Sequence, residues 1–296
     1  MSDPRRLLLV AVLVVLAGCS SPAAPSAGTS PPTETATAAP VPTDAPATFL
    51  APGVTPRGVV DPVALARAHG ERLRAGNVTV RVEESRRYAN GTVRWRRTAT
   101  QRVDAVDRPI RSHYVGAFEG STRGSGLLSG FVRFPDATRV ERYTVGDGAY
   151  HRYRFPSGDT WYVGAASPDP RLVDPGLVPL FWAVETRVAG REVRDGTTRY
   201  RLEGSEVADR TTFERAFVGG RVATVRDVSL DATVDGRGVV RRYRLTYTVV
   251  RADGVVVRGR ESVRFTDLGT TAVARPVWYG AAVNATGRWE GDDAPR

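Results

Sequence analysis

Side chains able to do covalent, acid–base or metal chemistry are few in this chain of 296 residues. Three histidines occur: His69, His113 and His151. None belongs to an HExxH pair, and none has a cysteine nearby, so no metal-ligand spacing can be written. Gly120 to Gly130, GSTRGSGLLSG, looks like a phosphate-cradling loop. It lacks GxGxxG, precedes a strand pattern rather than a helix and carries no lysine, so it reads as a loop. There is no GxSxG elbow, and the acids are too scattered to place a catalytic pair on one face. All 42 basic residues are arginine. The lack of lysine removes Schiff-base chemistry, a P-loop lysine and a Ser-Lys dyad. These residues predict no enzyme, no cofactor and no metal site.

One thiol remains, Cys19, the only cysteine. Alone it excludes an intramolecular disulfide framework and a cysteine-based cluster. Its surroundings give it a different chemistry. Leu7 to Ala17 is an apolar run of eleven preceded by Arg5 and Arg6, too short to span roughly 30 Å of hydrocarbon. A charged start, a short apolar stretch and small residues is the layout of an export signal. Leu16-Ala17-Gly18-Cys19 resembles a lipobox, in which cleavage precedes the cysteine and its sulfur carries a lipid anchor. The expectation is a signal peptide over 1–18, a lipidated Cys19 and the extracytoplasmic face of the cell membrane. Arg5-Arg6 before three leucines also resembles a twin-arginine leader, leaving that route and the general one both open. Residues 19–48 then form a tether. Of Ser20 to Thr48, all but Gly28, Glu34, Val41 and Asp44 are Ala, Pro, Thr or Ser. Such a composition cannot bury enough apolar surface to order itself, and at about 3 Å per residue it reaches up to roughly 90 Å. Three sequons, at Asn77, Asn90 and Asn284, fit a glycosylated chain outside the cytoplasm.

The elements behind the tether alternate with period two. Tyr243, Leu245, Tyr247 and Val249 face one way, and Arg242, Arg244, Thr246 and Thr248 the other. Asn90-Gly91, Asp147-Gly148, Asp195-Gly196, Asp235-Gly236 and Asp253-Gly254 punctuate such runs, and these dipeptides favour hairpin turns. One apolar face and one arginine-rich face suit an antiparallel sheet covering a core on one side. Asp61-Pro62 starts a helix with Leu65, His69 and Leu73 on its buried stripe. There His69 reads as a core histidine. Asp174-Pro175 starts a second, and its LVPLFWAV run (Leu177 to Val184) has no polar face and must be buried. Glu206 to Phe217 reads as a surface helix or long loop. The expected fold is α+β, mostly β: a curved antiparallel sheet, a half-open barrel packed over short helices. One domain is expected over 49–290, monomeric, with a disordered tail at 291–296.

Arginine interleaved with aromatics, as in Arg94-Trp95-Arg96-Arg97 and Tyr150-His151-Arg152-Tyr153-Arg154, is the pattern of a polyanion-binding surface. An extracytoplasmic address argues against nucleic acid and for acidic envelope components. The plainer reading is a solvated sheet face in an arginine-biased sequence.

The layout resembles a family of haloarchaeal lipoproteins, themselves similar to the LolA-like and mycobacterial carrier-lipoprotein superfamily. Pro52-Gly53-Val54, Gly58-Val59, Asp61-Pro62, Leu65 and Ala68-His69 carry the resemblance at one end. Phe265 to Thr271 (FTDLGTT), Val273, Pro276 and Trp278-Tyr279 carry it at the other. It implies a half-open barrel with an apolar cavity that in relatives carries acyl chains. The candidate lining is Trp95, Phe131, Phe134, Phe155, Trp161, Leu180, Phe181 and Trp182, each of which also suits a plain core. Two functions follow: a carrier of a lipid or other apolar ligand, or an envelope interaction protein with a filled core that binds acidic partners through its arginine face.

Overall fold

The computed structural model describes residues 48–105, 110–120, 134, 136–166, 176–220 and 222–287. Cys19, the signal and tether residues, Phe131 and most of the glycine-rich segment lie outside the described residues.

A two-stranded ribbon, β1 (Val54–Thr55) and β2 (Gly58–Val59), leads into α1 (Pro62–Arg74). The start of α1 is fixed by Asp61, whose carboxylate accepts from Val63 N and Ala64 N at 3.1 and 2.9 Å, with proline at the first helical position. Its buried stripe is Leu65, His69 and Leu73. The chain then runs as β3 (Val78–Tyr88), β4 (Val93–Asp104), β5 (Arg111–Gly120), β6 (Arg139–Val145), β7 (Gly148–Arg154) and β8 (Thr160–Ala166). After α2 (Leu177–Ala183) come β9 (Val184–Arg194) and β10 (Thr197–Val207). There follow α3 (Arg210–Phe213), continued by a π turn at Glu214–Val218, then β11 (Thr224–Asp235), β12 (Val240–Val250), β13 (Val256–Thr266) and α4 (Tyr279–Thr286).

Among the described residues eleven strands form one sheet in the order β8-β7-β6-β5-β4-β3-β13-β12-β11-β10-β9. Every neighbouring pair is antiparallel. Two meanders therefore meet where β3 pairs with β13. The edge strands β8 and β9 do not pair with each other, so the sheet is mostly β, antiparallel and open rather than closed. Asp195 and Gly196, at φ 53° and 69°, link β9 to β10 as a two-residue turn with both residues left-handed, the type I′ geometry. At the β6–β7 hairpin the loop residues are Gly146 and Asp147, because Val145 already pairs with Gly148. The turn there sits one residue earlier than the Asp147-Gly148 dipeptide suggests.

The cross-strand register sorts the side chains into two faces. On the inner face α1, α2 and α3 cover Val80, Val82, Leu202, Leu230, Ala232, Leu245, Val263 and Phe265 in one apolar core. His69 belongs to it: its ring packs edge-on against Phe265 at 4.5 Å, and its Nδ1 accepts from Val240 N at 3.2 Å. The α2 run is not buried on every side, as an all-apolar helix demands. Leu177, Leu180, Phe181 and Ala183 are covered, Trp182 is 52% exposed, and Val184 already belongs to β9. Asp174 and Pro175 lie outside the described residues; the helix is capped by Gly176 at φ 68°. The expected helix at Glu206 to Phe217 is shorter and less superficial. Glu206 and Val207 still pair with β9, Asp209 caps α3 through Thr212, and Phe213 and Phe217 are buried. Beside the π turn the Phe213 ring lies 5.2 Å from both Tyr247 and Phe217.

The fourth helix packs on the opposite, outer face. Trp278, Tyr279 and Ala282 form a small core with Tyr143 and Tyr150 of β6 and β7. Sequence periodicity does not announce α4, because eight residues with two buried side chains, Tyr279 and Ala282, are too short to show a stripe.

Candidate functional site

Three environments follow one another across the inner face. Over β9–β13 the helices fill it, as described. In the middle stands a buried charge cluster. Glu84 and Glu261 are register partners on β3 and β13, and Glu84 also faces Arg97 on β4. Glu84 is reached by Arg97 at 2.8 Å and by Arg86 at 3.8 Å; all three are buried. The Trp95 ring lies between the two guanidinium groups, at 5.7 and 5.8 Å. Arg86 also donates to Phe217 O at 2.6 Å, as does Tyr247. Tyr243 donates its hydroxyl to Glu261. Burial raises Glu84, against the opposing pull of Arg97 and Arg86. Burial and then the neighbouring Glu84 charge push Glu261 up to about 7. Burial likewise pushes the Tyr247 hydroxyl up to about 12.

Beyond the cluster, the wing formed by β5–β8 is aromatic. Val140 pairs with Tyr153 and Tyr153 with Trp161. Phe134 lies edge-on to Tyr153 at 4.8 Å and to Trp161 at 5.3 Å, and Phe155 stands 5.4 Å from Trp161. Phe118 and Val163 pack against the same group. Phe134 and Phe155 are half-buried, and the Trp161 indole is 53% exposed. An exposed aromatic group joined to a buried one can hold an apolar molecule by area and ring contact without any covalent step.

Of the eight residues proposed as a lining, the fold brings Phe134, Phe155 and Trp161 together. Trp95 stands among the buried charges. Leu180 and Phe181 belong to the main core, and Trp182 points outward from α2. Phe131 lies outside the described residues. The sequons differ in the same way. Asn77 spends its amide on structure, donating to Thr271 O at 2.8 Å and accepting from Ala105 N at 2.9 Å. Asn90 is exposed in the β3–β4 turn and Asn284 on α4.

On the outer face, sequence reasoning missed a hub. Glu141 of β6 accepts from Arg139 at 2.8 Å, from Arg152 at 2.5 Å and from Trp278 Nε1 at 2.8 Å. Burial alone would raise its carboxyl, but these hydrogen bonds and the Arg152 charge hold it below the usual carboxylate range. Burial lowers His113 nearby, against the charge of Glu141. The hub joins residues separated by 137 positions, which no local pattern reveals. Among the described residues no three His, Cys, Asp or Glu side chains are placed to hold a metal ion. No helix there is long and apolar enough to cross a membrane.

A family described as "Family of unknown function (DUF7537)" matches residues 6–282, from Arg6 through the first half of α4. The chain belongs to that family. The match takes in every strand of the sheet and all three environments of the inner face described above. No curated protein matches the chain. Among solved structures, LprF from Mycobacterium bovis is 14% identical, covering 72% of this chain and 94% of that one at a TM-score of 0.35. A DUF1329 family protein from Desulfovibrio piger is 11% identical over 74% and 97%, with a TM-score of 0.26. A Vibrio parahaemolyticus domain named for outer-membrane lipoprotein sorting is 10% identical over 74% and 97%, at 0.24. Scores of that size carry nothing about what this chain binds.

Proposed function

We propose that this chain is a lipoprotein of the cell surface, anchored through Cys19, whose domain binds a lipid or other apolar ligand without covalent chemistry. The supporting observation is the half-exposed aromatic group of Phe134, Phe155 and Trp161 on the inner face of β5–β8. With α1–α3 occupying the other half of that face, the ligand surface on this reading is confined to the aromatic wing. No catalytic role is assigned to any residue. Native mass spectrometry of the protein gently extracted from its own membrane tests the reading: a co-purifying lipid is expected, and its absence overturns the carrier. Replacing both Phe155 and Trp161 by alanine is expected to lower lipid occupancy while the fold persists. A Cys19→Ser chain is expected in the soluble fraction; one that stayed on the membrane would overturn the anchor.

A second reading, an envelope interaction protein binding acidic partners through the outer face, is favoured by one observation. Arg81, Arg96, Arg102, Arg242, Arg244, Arg258, Arg260 and Arg264 are all exposed there.

A further inference from the structure

The outer face is not uniformly charged. On β9 and β10 the charges are paired: Arg187 and Arg201 both reach Glu203, at 2.9 and 3.1 Å. On β6 and β7 Arg139 and Arg152 converge on Glu141 beneath Trp278. The centre differs. There Arg242, Arg264 and Arg81 stand directly opposite one another on β12, β13 and β3. Like charges in opposing register are destabilising, and on neighbouring strands about 4.8 Å apart nothing forces them together. Alternation requires a polar residue at each position, which serine or threonine would satisfy without repulsion. With Arg244 and Arg260 these three surround a groove of about 390 Å³ whose acidic lining residues are Glu83 and Asp231. Asp231 is drawn to Arg242 at 3.4 Å. Among the described residues Arg244, Arg260 and Arg264 have no acidic partner.

We infer that this groove is an anion site, and that it takes the phosphate head groups of an anionic lipid surface. The inference rests on the second reading above and gives its partner a chemistry. Guanidinium forks match phosphate oxygens in a planar, two-point fashion, and an anion between facing arginines relieves the repulsion that the register builds in. The choice of a membrane over a soluble anion follows from the chain outside the structure. With the Cys19 anchor proposed above, the 29 residues that follow it, at about 3 Å per residue, hold the domain within roughly 90 Å of a bilayer. Docking is then a local event at high effective concentration.

The experiment uses the mature chain from residue 19 carrying Cys19→Ser, so that neither acyl chain nor leader contributes. Sedimentation with phosphatidylglycerol vesicles at low and high salt is compared with phosphatidylcholine vesicles. Binding is expected to the anionic vesicles alone and to weaken with salt. Arg244→Gln with Arg260→Gln is expected to reduce it roughly tenfold or more. Arg67→Gln with Arg72→Gln on α1, the same loss of charge on the other side of the sheet, is expected to leave it nearly unchanged. All four side chains are exposed, and Arg81→Gln with Arg264→Gln provides a second groove variant should the first unfold. Equal loss in the α1 and groove variants would overturn the inference, leaving net charge as the cause. Binding of poly-glutamate but not vesicles would keep the second reading and overturn this one. Saturation by soluble pyrophosphate with vesicles ignored would assign the groove to a free anion and overturn the lipid. Binding to none of these probes overturns both.

Discussion

At the residue scale, the inner charge cluster and His69 make the sharpest predictions. Glu84 has its closest cation in Arg97, at 2.8 Å, and both are buried. Removing one member of such a pair leaves an uncompensated charge in a poor solvent, which costs about 3–5 kcal/mol. Arg97→Met is therefore expected to shift the urea midpoint strongly, and adding Glu84→Gln is expected to recover much of the loss. A double variant no better than the single one would show that the cluster is not coupled. His69 is pushed down to about 4, chiefly by burial. The folded state binds its proton less readily than the unfolded state, so stability is present above about pH 6.5 and is lost as pH falls toward 4. The lost contribution is about 3 kcal/mol. His69→Gln, which still offers an acceptor to Val240 N, is expected to flatten that part of the urea-midpoint profile between pH 7 and 4. An unchanged slope would place the titration elsewhere. His69 was legible as a core histidine because it repeats with Leu65 and Leu73 every four residues. The Glu84–Arg97–Glu261 cluster was not, because its members look like ordinary polar positions until β13 and β4 are laid on either side of β3.

At the scale of elements, hairpins are readable from the chain and helix surroundings much less so. The Asp195-Gly196 turn needs two left-handed residues, a demand the dipeptide states outright. Gly196→Val is expected to lower stability by about 1–2 kcal/mol, and Asp195→Gly to change it little, both read as shifts in Tm. By contrast α4 is defined by what it covers. Trp278 is buried against the outer face, bonded to Glu141 and lying under Arg152 at 5.3 Å. Trp278→Ala is expected to cost about 3–5 kcal/mol and to open residues 267–287 to proteolysis. Trp278→Phe, which keeps the ring but not the donor, is expected to cost about 1 kcal/mol. Equal effects from the two would mean that the hydrogen bond, not the packing, holds α4. The same dependence on surroundings explains Trp182 and Phe181: adjacent in one apolar run, one is exposed and the other lies in the core.

For the whole molecule, the strand order sets the hierarchy of stability. The first and last strands of the large sheet, β3 and β13, are central neighbours, while β8 and β9 form its edges. Amide hydrogen exchange is expected to be slowest on β3, β13 and β12 and fastest on β8 and the far end of β9; the reverse order would contradict the topology. Deleting β13 is expected to abolish folding, since it joins the two meanders. The features readable along the chain are local. Alternation marks the strands and their two faces, Asp61-Pro62 marks the start of α1, and turn dipeptides mark antiparallel neighbours. Each is dictated by backbone geometry within a few residues. The tertiary structure alone decided which face belongs to which neighbour. It placed Phe134 and Phe155 beside Trp161 and Trp95 among charges, set α4 on the outer side, and put Arg242, Arg264 and Arg81 in one row. These are matters of register between strands far apart in the chain. A shift of one residue in that register would exchange every one of those faces.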